Sequence, residues 1–219
     1  MQHFSTIIID FDSTLVQVES LEDLASLALT DAPDRMERLQ AITDLTNQAM
    51  TGALRFDEAL ARRIPLLGAR REHLTALVAV LQQKYTPSLL RNEAWFRANS
   101  DRLYVVSGGF REFIVPVMEP LGFKPEHIFA NTFLFDVEGN ITGADSANFL
   151  AQDDGKTKLL ASLNLPRPRL IIGDGFSDYQ LRASGECEEF YVLTENVHRA
   201  QVVALADRTL TSFDEICAM

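Results

Sequence analysis

Residues 6–16 read Thr-Ile-Ile-Ile-Asp-Phe-Asp-Ser-Thr-Leu-Val. Three consecutive isoleucines favour a strand that is buried on both faces, as in a parallel sheet. Asp10 and Asp12 follow where this strand should end, and in an open parallel sheet that edge binds ligands. Two close carboxylates repel each other unless a cation or a proton lies between them, and a hard cation such as Mg²⁺ prefers oxygen ligands. The alternative is that Asp-Ser-Thr only caps the following helix.

The composition indicates a globular chain with a sizeable hydrophobic core. Of its 219 residues, 47% are hydrophobic and 23% are charged, which suits one larger domain or a core with a small accessory domain. The net charge of −11 argues against nucleic acid or an anionic membrane as a partner, because like charges repel. An anionic substrate would need positive charge concentrated at the site.

The sequence carries no signal that points to secretion or to a membrane. Its first residues lack the basic start and apolar region of a signal peptide, and no apolar run approaches the ~20 residues that span a bilayer. The two cysteines, Cys187 and Cys217, have no metal-type spacing and suggest no disulfide framework. We therefore expect a cytoplasmic protein.

Hydrophobic periodicity divides the chain into a helical part and a mixed part. Residues 17–86 have the apolar spacing of helices and no strand pattern; the predicted helices cover 19–30, 34–50, 56–64 and 71–84. From residue 87 onward, short apolar runs alternate with helical segments, which is typical of right-handed βαβ units and a parallel sheet. The predicted strands there cover 102–106, 127–131, 169–172, 190–193 and 208–211, with a hairpin at 133–142, and the predicted helices cover 87–99, 110–121, 155–163, 177–184 and 196–206.

These elements predict an α/β fold with a Rossmann-like parallel sheet core and a helical-bundle cap inserted after the first strand. Residues 1–16 and 87–219 would form the core, and residues 17–86 would form the cap. Because the insertion begins directly after Asp10 and Asp12, it is well placed to act as a lid over them.

Polar residues follow three of the predicted strands, at the same edge of the sheet. They are Asp10 and Asp12, then Ser107-Gly108-Gly109, then Gly173-Asp174-Gly175-Phe176-Ser177-Asp178. Glycines let backbone N–H groups approach an anion, and carboxylates hold a divalent cation. Lys156, at the start of a predicted helix, adds a positive charge. Together these groups are suited to phosphoryl transfer.

In the order and spacing of these motifs, the sequence resembles the haloacid dehalogenase-like superfamily of phosphatases. Four motifs carry the resemblance over nearly the whole chain: Asp10-Phe-Asp12-Ser-Thr14, Val105-Val-Ser107-Gly-Gly109, Lys156, and Gly173-Asp174-Gly175-Phe176-Ser177-Asp178. Ser177 stands where asparagine or threonine is frequent in that superfamily, so a hydrogen bond on the substrate side is expected to differ.

The resemblance implies a Mg²⁺-dependent reaction at the two aspartates. Asp10 would be the nucleophile that forms an aspartyl-phosphate. Asp12 would be the general acid for the leaving alkoxide and then the base for the hydrolytic water. Mg²⁺ would be held by the Asp10 carboxylate, the Asp12 backbone carbonyl and Asp174, with Asp178 supporting either the metal or the lysine.

The resemblance also implies a phosphate site formed by Ser107, Gly108 and Lys156. Each has a simpler alternative. Ser107 could be only a turn residue, and Lys156 has a competitor in Lys158, which should point elsewhere on the same helix.

Within the superfamily, the sequence most resembles the phosphoserine phosphatase family, because Glu19 follows the first motif and Thr51-Gly-x-Leu-x-Phe56 leads to Arg63. This resemblance implies that Glu19 meets the ammonium group of phosphoserine. Arg63 would meet its carboxylate, which a guanidinium can bind in bidentate fashion. Met50 and Phe56 match apolar positions that shield the site in that family.

These substrate residues also have ordinary structural alternatives. Glu19 could be an N-terminal helix charge favoured by the helix dipole. Arg63 has an equal-looking neighbour in Arg62, and Met50 and Phe56 could be core residues of the insertion.

We therefore expect a Mg²⁺-dependent phosphatase for a small phosphomonoester, with O-phospho-L-serine as the best candidate, acting as a monomer or homodimer. The alternatives are another small-metabolite phosphatase, a phosphotransferase that passes phosphate to an alcohol such as homoserine, and a catalytically silent phosphate-binding regulatory protein on the same fold. All four motifs are intact, which disfavours the silent protein.

Overall fold

A six-stranded parallel sheet forms the centre of the protein, as seen in a computed structural model that describes residues 4–218. In chain order the strands are β1 (Thr6–Ile9), β2 (Leu103–Phe110), β3 (Ile128–Asn131), β4 (Phe133–Phe135), β5 (Ile141–Ala144), β6 (Arg169–Gly173), β7 (Glu189–Leu193) and β8 (Arg208–Leu210). The spatial order of the sheet is β3-β2-β1-β6-β7-β8, whereas β4 and β5 pair antiparallel as a separate hairpin. The predicted α/β fold with a Rossmann-like parallel sheet is confirmed.

Helices cover both faces of this sheet and fill the interval between β1 and β2. In chain order they are α1 (Ser20–Ala28), α2 (Arg35–Met50), α3 (Phe56–Leu67), α4 (Arg71–Leu81), α5 (Pro87–Arg91), α6 (Glu93–Ala98), α7 (Arg111–Met118), α8 (Gly155–Ser162), α9 (Phe176–Ala183), α10 (Ala200–Val203) and α11 (Asp214–Cys217). Short 3₁₀ helices cover Glu119–Leu121, Pro125–His127 and Phe149–Ala151. None of the helices between residues 4 and 218 combines the length and apolarity that crossing a bilayer requires.

The isoleucines of β1 pack into the hydrophobic core on both faces of the sheet. Ile7 and Ile9 join one buried hydrophobic cluster, and Ile8 joins a second cluster on the opposite face. Side chains alternate across a strand, so a strand covered on both faces must be apolar at every position. Full burial of each such side chain stabilises the fold by roughly 1.5–3 kcal/mol. This is the physical reason for the uninterrupted apolar run before Asp10.

The strand order places a ligand-binding crevice at the carboxyl end of β1. The chain runs from β1 to one side through β2 and β3, and then returns to the other side through β6, β7 and β8. An open parallel sheet binds ligands at such a reversal of strand order. The segments that follow β1 and β6, and the end of β2, therefore meet at one place.

Helices α1 to α4 form a bundle inserted after β1, as the sequence pattern indicated. Within it α1 packs on α4 and α2 on α3, while α4 also packs on α7 of the core. The chain enters and leaves the bundle side by side, because Val16 and Tyr85 form an antiparallel bridge. We call these two segments, at Val16 and at Tyr85, the outgoing and the returning crossing between the core and the inserted helices. The Tyr85 hydroxyl donates to the carbonyl oxygen of Val117 and so links the returning crossing to α7.

Two helix predictions were wrong because tertiary contacts outweighed local signals. The helix expected to end before Pro65 continues to Leu67, since burial of Ile64 and Leu67 outweighs the one backbone hydrogen bond that proline removes. It ends at Gly68, whose φ is 60°. The helix expected at 87–99 is split into α5 and α6 at Asn92, whose side chain donates to a backbone carbonyl oxygen instead.

Two further boundaries differ close to the functional edge of the sheet. The strand expected at 102–106 extends through Ser107 and the glycines to Phe110, with a register shift against β3 between Val106 and Phe110. The helix expected at 196–206 is reduced to α10, so the segment 194–199 is a loop.

Candidate active site

Nine of the eleven site residues predicted from the sequence line one pocket at the carboxyl edge of the sheet. They are Asp10, Asp12, Glu19, Met50, Phe56, Arg63, Ser107, Gly108 and Lys156. The other two, Asp174 and Asp178, do not line the pocket and are buried, with 1% and 0% of their surface exposed. The fold thus brings together residues from both ends of the chain, such as Asp10 and Asp178.

Asp10 and Lys156 form a buried ion pair at the floor of the pocket. The backbone N–H of Asp10 donates to Ile172 on β6, which fixes the position of the residue after β1. Lys156, on the first turn of α8, places its Nζ 2.7 Å from Asp10 Oδ1 and 2.7 Å from Asp178 Oδ1. Burial alone would lower the pKa of Lys156, but the charges of Asp10 and Asp178 outweigh it and raise that pKa. A permanent positive charge therefore lies beside the Asp10 carboxylate.

Asp12 has the environment of a carboxyl group that exchanges a proton near neutral pH. Burial, followed by repulsion from Asp10, raises the pKa of Asp12 to about 7. The backbone N–H and the hydroxyl of Ser20 donate to its two carboxylate oxygens at 2.9 and 3.1 Å, which fixes its orientation. A carboxyl group with a pKa near 7 can serve as acid in one step and base in the next.

Asp10, Asp174 and Asp178 form an oxygen-rich cluster that fits a divalent cation. Each offers a carboxylate oxygen, and these oxygens lie within 4.8 Å of one another. Thr14 Oγ1 donates to Asp174 Oδ1 at 3.2 Å. Burial, followed by repulsion from Glu19 and Asp10, raises the pKa of Asp174 to about 7, which indicates unrelieved negative charge. Hard carboxylate oxygens in this number suit Mg²⁺.

The end of β2 and the inserted helices close the pocket from above. A side-chain carbon placed on Gly108 would lie 2.4 Å from the ring of Phe56, and one placed on Gly175 would lie 3.0 Å from Met50 Sδ. Phe56 therefore touches the end of β2, and Met50 touches the residue before α9, while both side chains line the pocket. Ser107 Oγ accepts the N–H of Gly109 at 3.0 Å, which holds this segment in shape.

Glu19, the residue before α1, and Arg63, on α3, line the same pocket. Burial, followed by repulsion from Asp12, raises the pKa of Glu19 to about 7. Arg63 is only 5% exposed, and its guanidinium donates to Thr46 Oγ1 and the carbonyl oxygen of Ala59 at 3.2 and 3.4 Å. No carboxylate of the described chain lies within ion-pair distance of Arg63. A buried arginine without an anionic partner is suited to binding an anion.

The two competing basic residues occupy different surroundings. Arg62, the neighbour of Arg63, is exposed and lies 3.4 Å from Glu58 on the outer face of α3. Lys158, the competitor of Lys156, is exposed and reaches Gln152 at 3.4 Å. Neither Arg62 nor Lys158 lines the pocket.

Sequence reasoning missed Arg199, which contacts both Asp174 and Glu19. This residue lies in the loop 194–199, where a helix was predicted. The available signal was charge balance, because the predicted site held five carboxyl groups against two basic side chains. With Arg199 the site still has two more acidic than basic groups, which matches the charge of one divalent cation.

Ser13 is a second residue that the motif comparison left without a role. It has φ 53°, a conformation that costs free energy in a residue other than glycine. Its hydroxyl donates to Glu19 Oε1 at 2.8 Å. The turn after Asp12 thereby orients a side chain six residues further along the chain.

Comparison with known proteins assigns this chain to a family. A sequence model of the haloacid dehalogenase-like hydrolases matches residues 7–182. The chain belongs to this family. A chloroplastic phosphoserine phosphatase of Arabidopsis thaliana is 30% identical over 210 residues, covering 94% of this chain and 68% of the relative. The phosphoserine phosphatase of Bos taurus is 29% identical over the same share of this chain and 89% of its own length. The protein is accordingly a phosphatase.

Solved structures of the family share the whole architecture. A phosphoserine phosphohydrolase-like protein from Francisella tularensis superposes with a TM-score of 0.85 at 25% identity, covering 98% of both chains. A substrate-bound phosphoserine phosphatase complex superposes with a TM-score of 0.76 at 21% identity, covering 100% of this chain and 99% of that chain. At that lower identity the likeness concerns the fold alone.

Proposed function

We propose that this phosphatase hydrolyses O-phospho-L-serine to L-serine and phosphate, with Mg²⁺ as its cofactor. The observation that carries the proposal is the buried guanidinium of Arg63, which lacks a carboxylate partner among residues 4–218 and shares its pocket with Glu19. The Arg63 guanidinium could bind a carboxylate, and the Glu19 carboxylate could bind an ammonium group. A small phosphate ester that carries both groups would therefore fit this pocket. The phosphoserine phosphatases among its relatives support the same substrate.

In the first half-reaction, a carboxylate oxygen of Asp10 attacks phosphorus and the bond from phosphorus to the seryl oxygen breaks. Lys156, 2.7 Å from Asp10, offsets the negative charge that attack brings together. Asp12 donates its proton to the leaving seryl oxygen. The products of this step are L-serine and an aspartyl-phosphate on Asp10.

In the second half-reaction, water replaces Asp10 on phosphorus. The Asp12 carboxylate takes a proton from that water, which attacks the aspartyl-phosphate and restores the free Asp10 side chain. The pKa of about 7 suits Asp12 to both duties. Ser107 and Gly108, which line the same pocket as Lys156, are proposed to hold phosphate oxygens.

Mg²⁺ would be held by the carboxylates of Asp10 and Asp174, together with the backbone carbonyl oxygen of Asp12. When bound it supplies positive charge to the phosphate oxygens. Asp178 is proposed to support the lysine, because it accepts a hydrogen bond from Lys156 and a second one from the backbone N–H of Gly175.

We further propose that residues 17–86 act as the cap and residues 1–16 and 87–219 as the core. Phe56 and Met50 would close the site by their contacts with Gly108 and Gly175, which excludes water while the seryl oxygen leaves. Assembly as a monomer or homodimer and a cytoplasmic location stay predictions of the sequence.

Phosphate release from O-phospho-L-serine tests the proposal. We expect release in the presence of Mg²⁺, loss of release with EDTA, and recovery when Mg²⁺ is added in excess. Asp10→Asn should abolish turnover, because an amide cannot form the acyl phosphate. The absence of Mg²⁺-dependent release would overturn the proposed function, and full activity of Asp10→Asn would overturn the role of Asp10.

A further inference from the structure

Arg199 joins two parts of the site that have different tasks in the proposed function. Its Nε donates to Asp174 Oδ2 at 2.9 Å, and its Nη2 donates to Glu19 Oε1 at 3.2 Å. Asp174 belongs to the carboxylate cluster, whereas Glu19 is the proposed acceptor of the substrate ammonium. About 11% of the Arg199 side chain is exposed. A single planar guanidinium therefore fixes the distance between the two carboxylates.

The contacts of Glu19 leave half of its carboxylate available. Ser13 Oγ and Arg199 Nη2 both donate to Oε1. No described hydrogen bond reaches Oε2, and Glu19 lines the pocket. The two donors orient the carboxylate from one side, so that its second oxygen can accept from a ligand.

Arg199 itself is not among the residues that line the pocket. It can therefore affect a substrate through the side chains that it holds or through its charge, but not by direct contact. Asp174 keeps a second donor, Thr14 Oγ1, at 3.2 Å. Glu19 keeps only the Ser13 hydroxyl, which can rotate. Loss of Arg199 should therefore disturb Glu19 more than Asp174.

The loop that carries Arg199 is anchored before it reaches the site. Glu195 accepts the backbone N–H and the hydroxyl of Ser88, at the start of α5. Asn196 Nδ2 donates to Thr86 Oγ1 at 2.7 Å and to the backbone oxygen of Ser13 at 3.1 Å. A side chain on a fixed base loses little conformational entropy when it orients its partners.

We propose that Arg199 is a positioning residue that holds Glu19 for the substrate ammonium and thereby sets the preference of the enzyme for amino-bearing phosphate esters. The proposal rests on the proposed function, since it takes Glu19 as the ammonium acceptor.

The test compares two substrates that differ only in the amine. They are O-phospho-L-serine and 3-(phosphonooxy)propanoate, which keeps the phosphate and the carboxylate and has hydrogen in place of the amine. Wild-type protein should have the higher kcat/KM for the amine. In Arg199→Met, kcat/KM should fall about 10-fold or more for phosphoserine, mainly through KM. For the amine-free ester it should change less than about 3-fold.

Two variants separate positioning from a general loss of charge. Arg199→Lys keeps the charge but cannot reach both carboxylates through a planar fork, so it should recover only part of the amine preference. Arg182→Met removes an exposed arginine that lies 2.9 Å from Asp207 on the surface, and it should leave the preference unchanged. Thermal unfolding of each variant identifies the temperature at which all are folded.

A double-mutant comparison gives an independent readout. Glu19→Gln should remove the amine preference by itself, because a neutral amide binds ammonium weakly. Arg199→Met added to Glu19→Gln should then change the preference little further. Additive effects would overturn the positioning role.

The outcomes distinguish this inference from the function on which it rests. If wild-type protein prefers the amine and Arg199→Met retains that preference, the inference fails and the proposed function stands. An equal loss on both esters also overturns it, since Arg199 would then act through Asp174 and the metal cluster. If wild-type protein hydrolyses both esters equally well, the proposed substrate is wrong and the inference falls with it.

Discussion

Lys156 Nζ lies 2.7 Å from Asp10 Oδ1, with less than a tenth of either side chain exposed. A second acceptor, Asp178 Oδ1, lies at the same distance from Nζ. The amine is thus held between one carboxylate that directly follows β1 and a second that lies on α9. In the proposed reaction, a charged amine at this place would lower the electrostatic cost of bringing a phosphate dianion to the Asp10 carboxylate.

Replacement of this lysine should impair catalysis far more than folding. We expect Lys156→Met to lower kcat about 100-fold or more, the magnitude typical for removal of one group that stabilises a transition-state charge. Lys158→Met removes an exposed lysine from the same helix and serves as the matched control. Steady-state phosphate release at saturating Mg²⁺ gives the kcat of both variants for comparison with wild type. If both variants retain similar activity, Lys156 has no part in the chemistry.

The stability of the metal-free protein should fall as pH rises from 5 to 8. Burial raises the pKa values of Asp12, Glu19, Asp174 and Asp178 to about 7, from ordinary values of 3.8 to 4.5. Between these limits the folded state binds protons that the unfolded chain has released. The free energy of unfolding therefore decreases with rising pH, by about 1.4 kcal/mol per pH unit for each extra proton bound.

Thermal unfolding without metal and with Mg²⁺ measures this effect. A divalent cation that binds the cluster favours the ionised carboxylates, so Mg²⁺ should raise Tm more at pH 8 than at pH 5. Asp174→Asn removes one of the titrating groups and should flatten the metal-free profile. A metal-free Tm that rises between pH 5 and pH 8 would contradict the prediction.

The sequence predicted those parts of the site whose positions follow from the pattern of strands and helices. Asp10 follows three isoleucines, and parallel strands that are buried on both faces must end at a common edge. The convergence of Asp10 with Asp174 therefore follows from the strand pattern. The distinction between Lys156 and Lys158 also follows, because residues two apart on a helix lie on different faces.

Arg199 and Asn196 could not be predicted in this way, because their partners are remote in the sequence. Asn196 donates to backbone oxygens near residue 14, and Arg199 donates to Glu19. The segment that contains them has helix-compatible residues, but contacts with chain about 180 residues earlier hold it as a loop. Such long-range hydrogen bonds leave no periodic signal, and they override a weak local preference.

Arg63 should bind the substrate carboxylate and should be more important for KM than for kcat. Arg63→Lys keeps the charge but loses the planar fork, and we expect KM for phosphoserine to rise about 10-fold or more. Arg62→Lys changes an exposed neighbour that pairs with Glu58 and is the matched control. Phosphoethanolamine, which lacks the carboxylate, should be hydrolysed with similar kcat/KM by wild type and Arg63→Lys. Equal KM values of wild type and Arg63→Lys for phosphoserine would exclude the carboxylate contact.

Asn196 should hold together the two chain crossings between the core and the inserted helices. Its Nδ2 lies 2.7 Å from Thr86 Oγ1 on the returning crossing, and 3.1 to 3.4 Å from backbone oxygens of Ser13, Thr14 and Val16 on the outgoing one. Asn196→Ala leaves several buried acceptors without this donor. We expect it to lower the free energy of unfolding by about 1–3 kcal/mol.

Hydrogen exchange locates the effect of that change, and denaturant unfolding measures its size. Exchange should accelerate in residues 13–18 and 84–88, because a looser crossing opens more often without global unfolding. Asn99→Ala removes an amide that donates to the carbonyl oxygen of Trp95, only four residues away, and should leave the crossings protected. If Asn196→Ala and Asn99→Ala give the same exchange pattern at residues 84–88, Asn196 does not connect the crossings. Acceleration confined to the Asn196 variant would support the role of Asn196 in joining the two crossings.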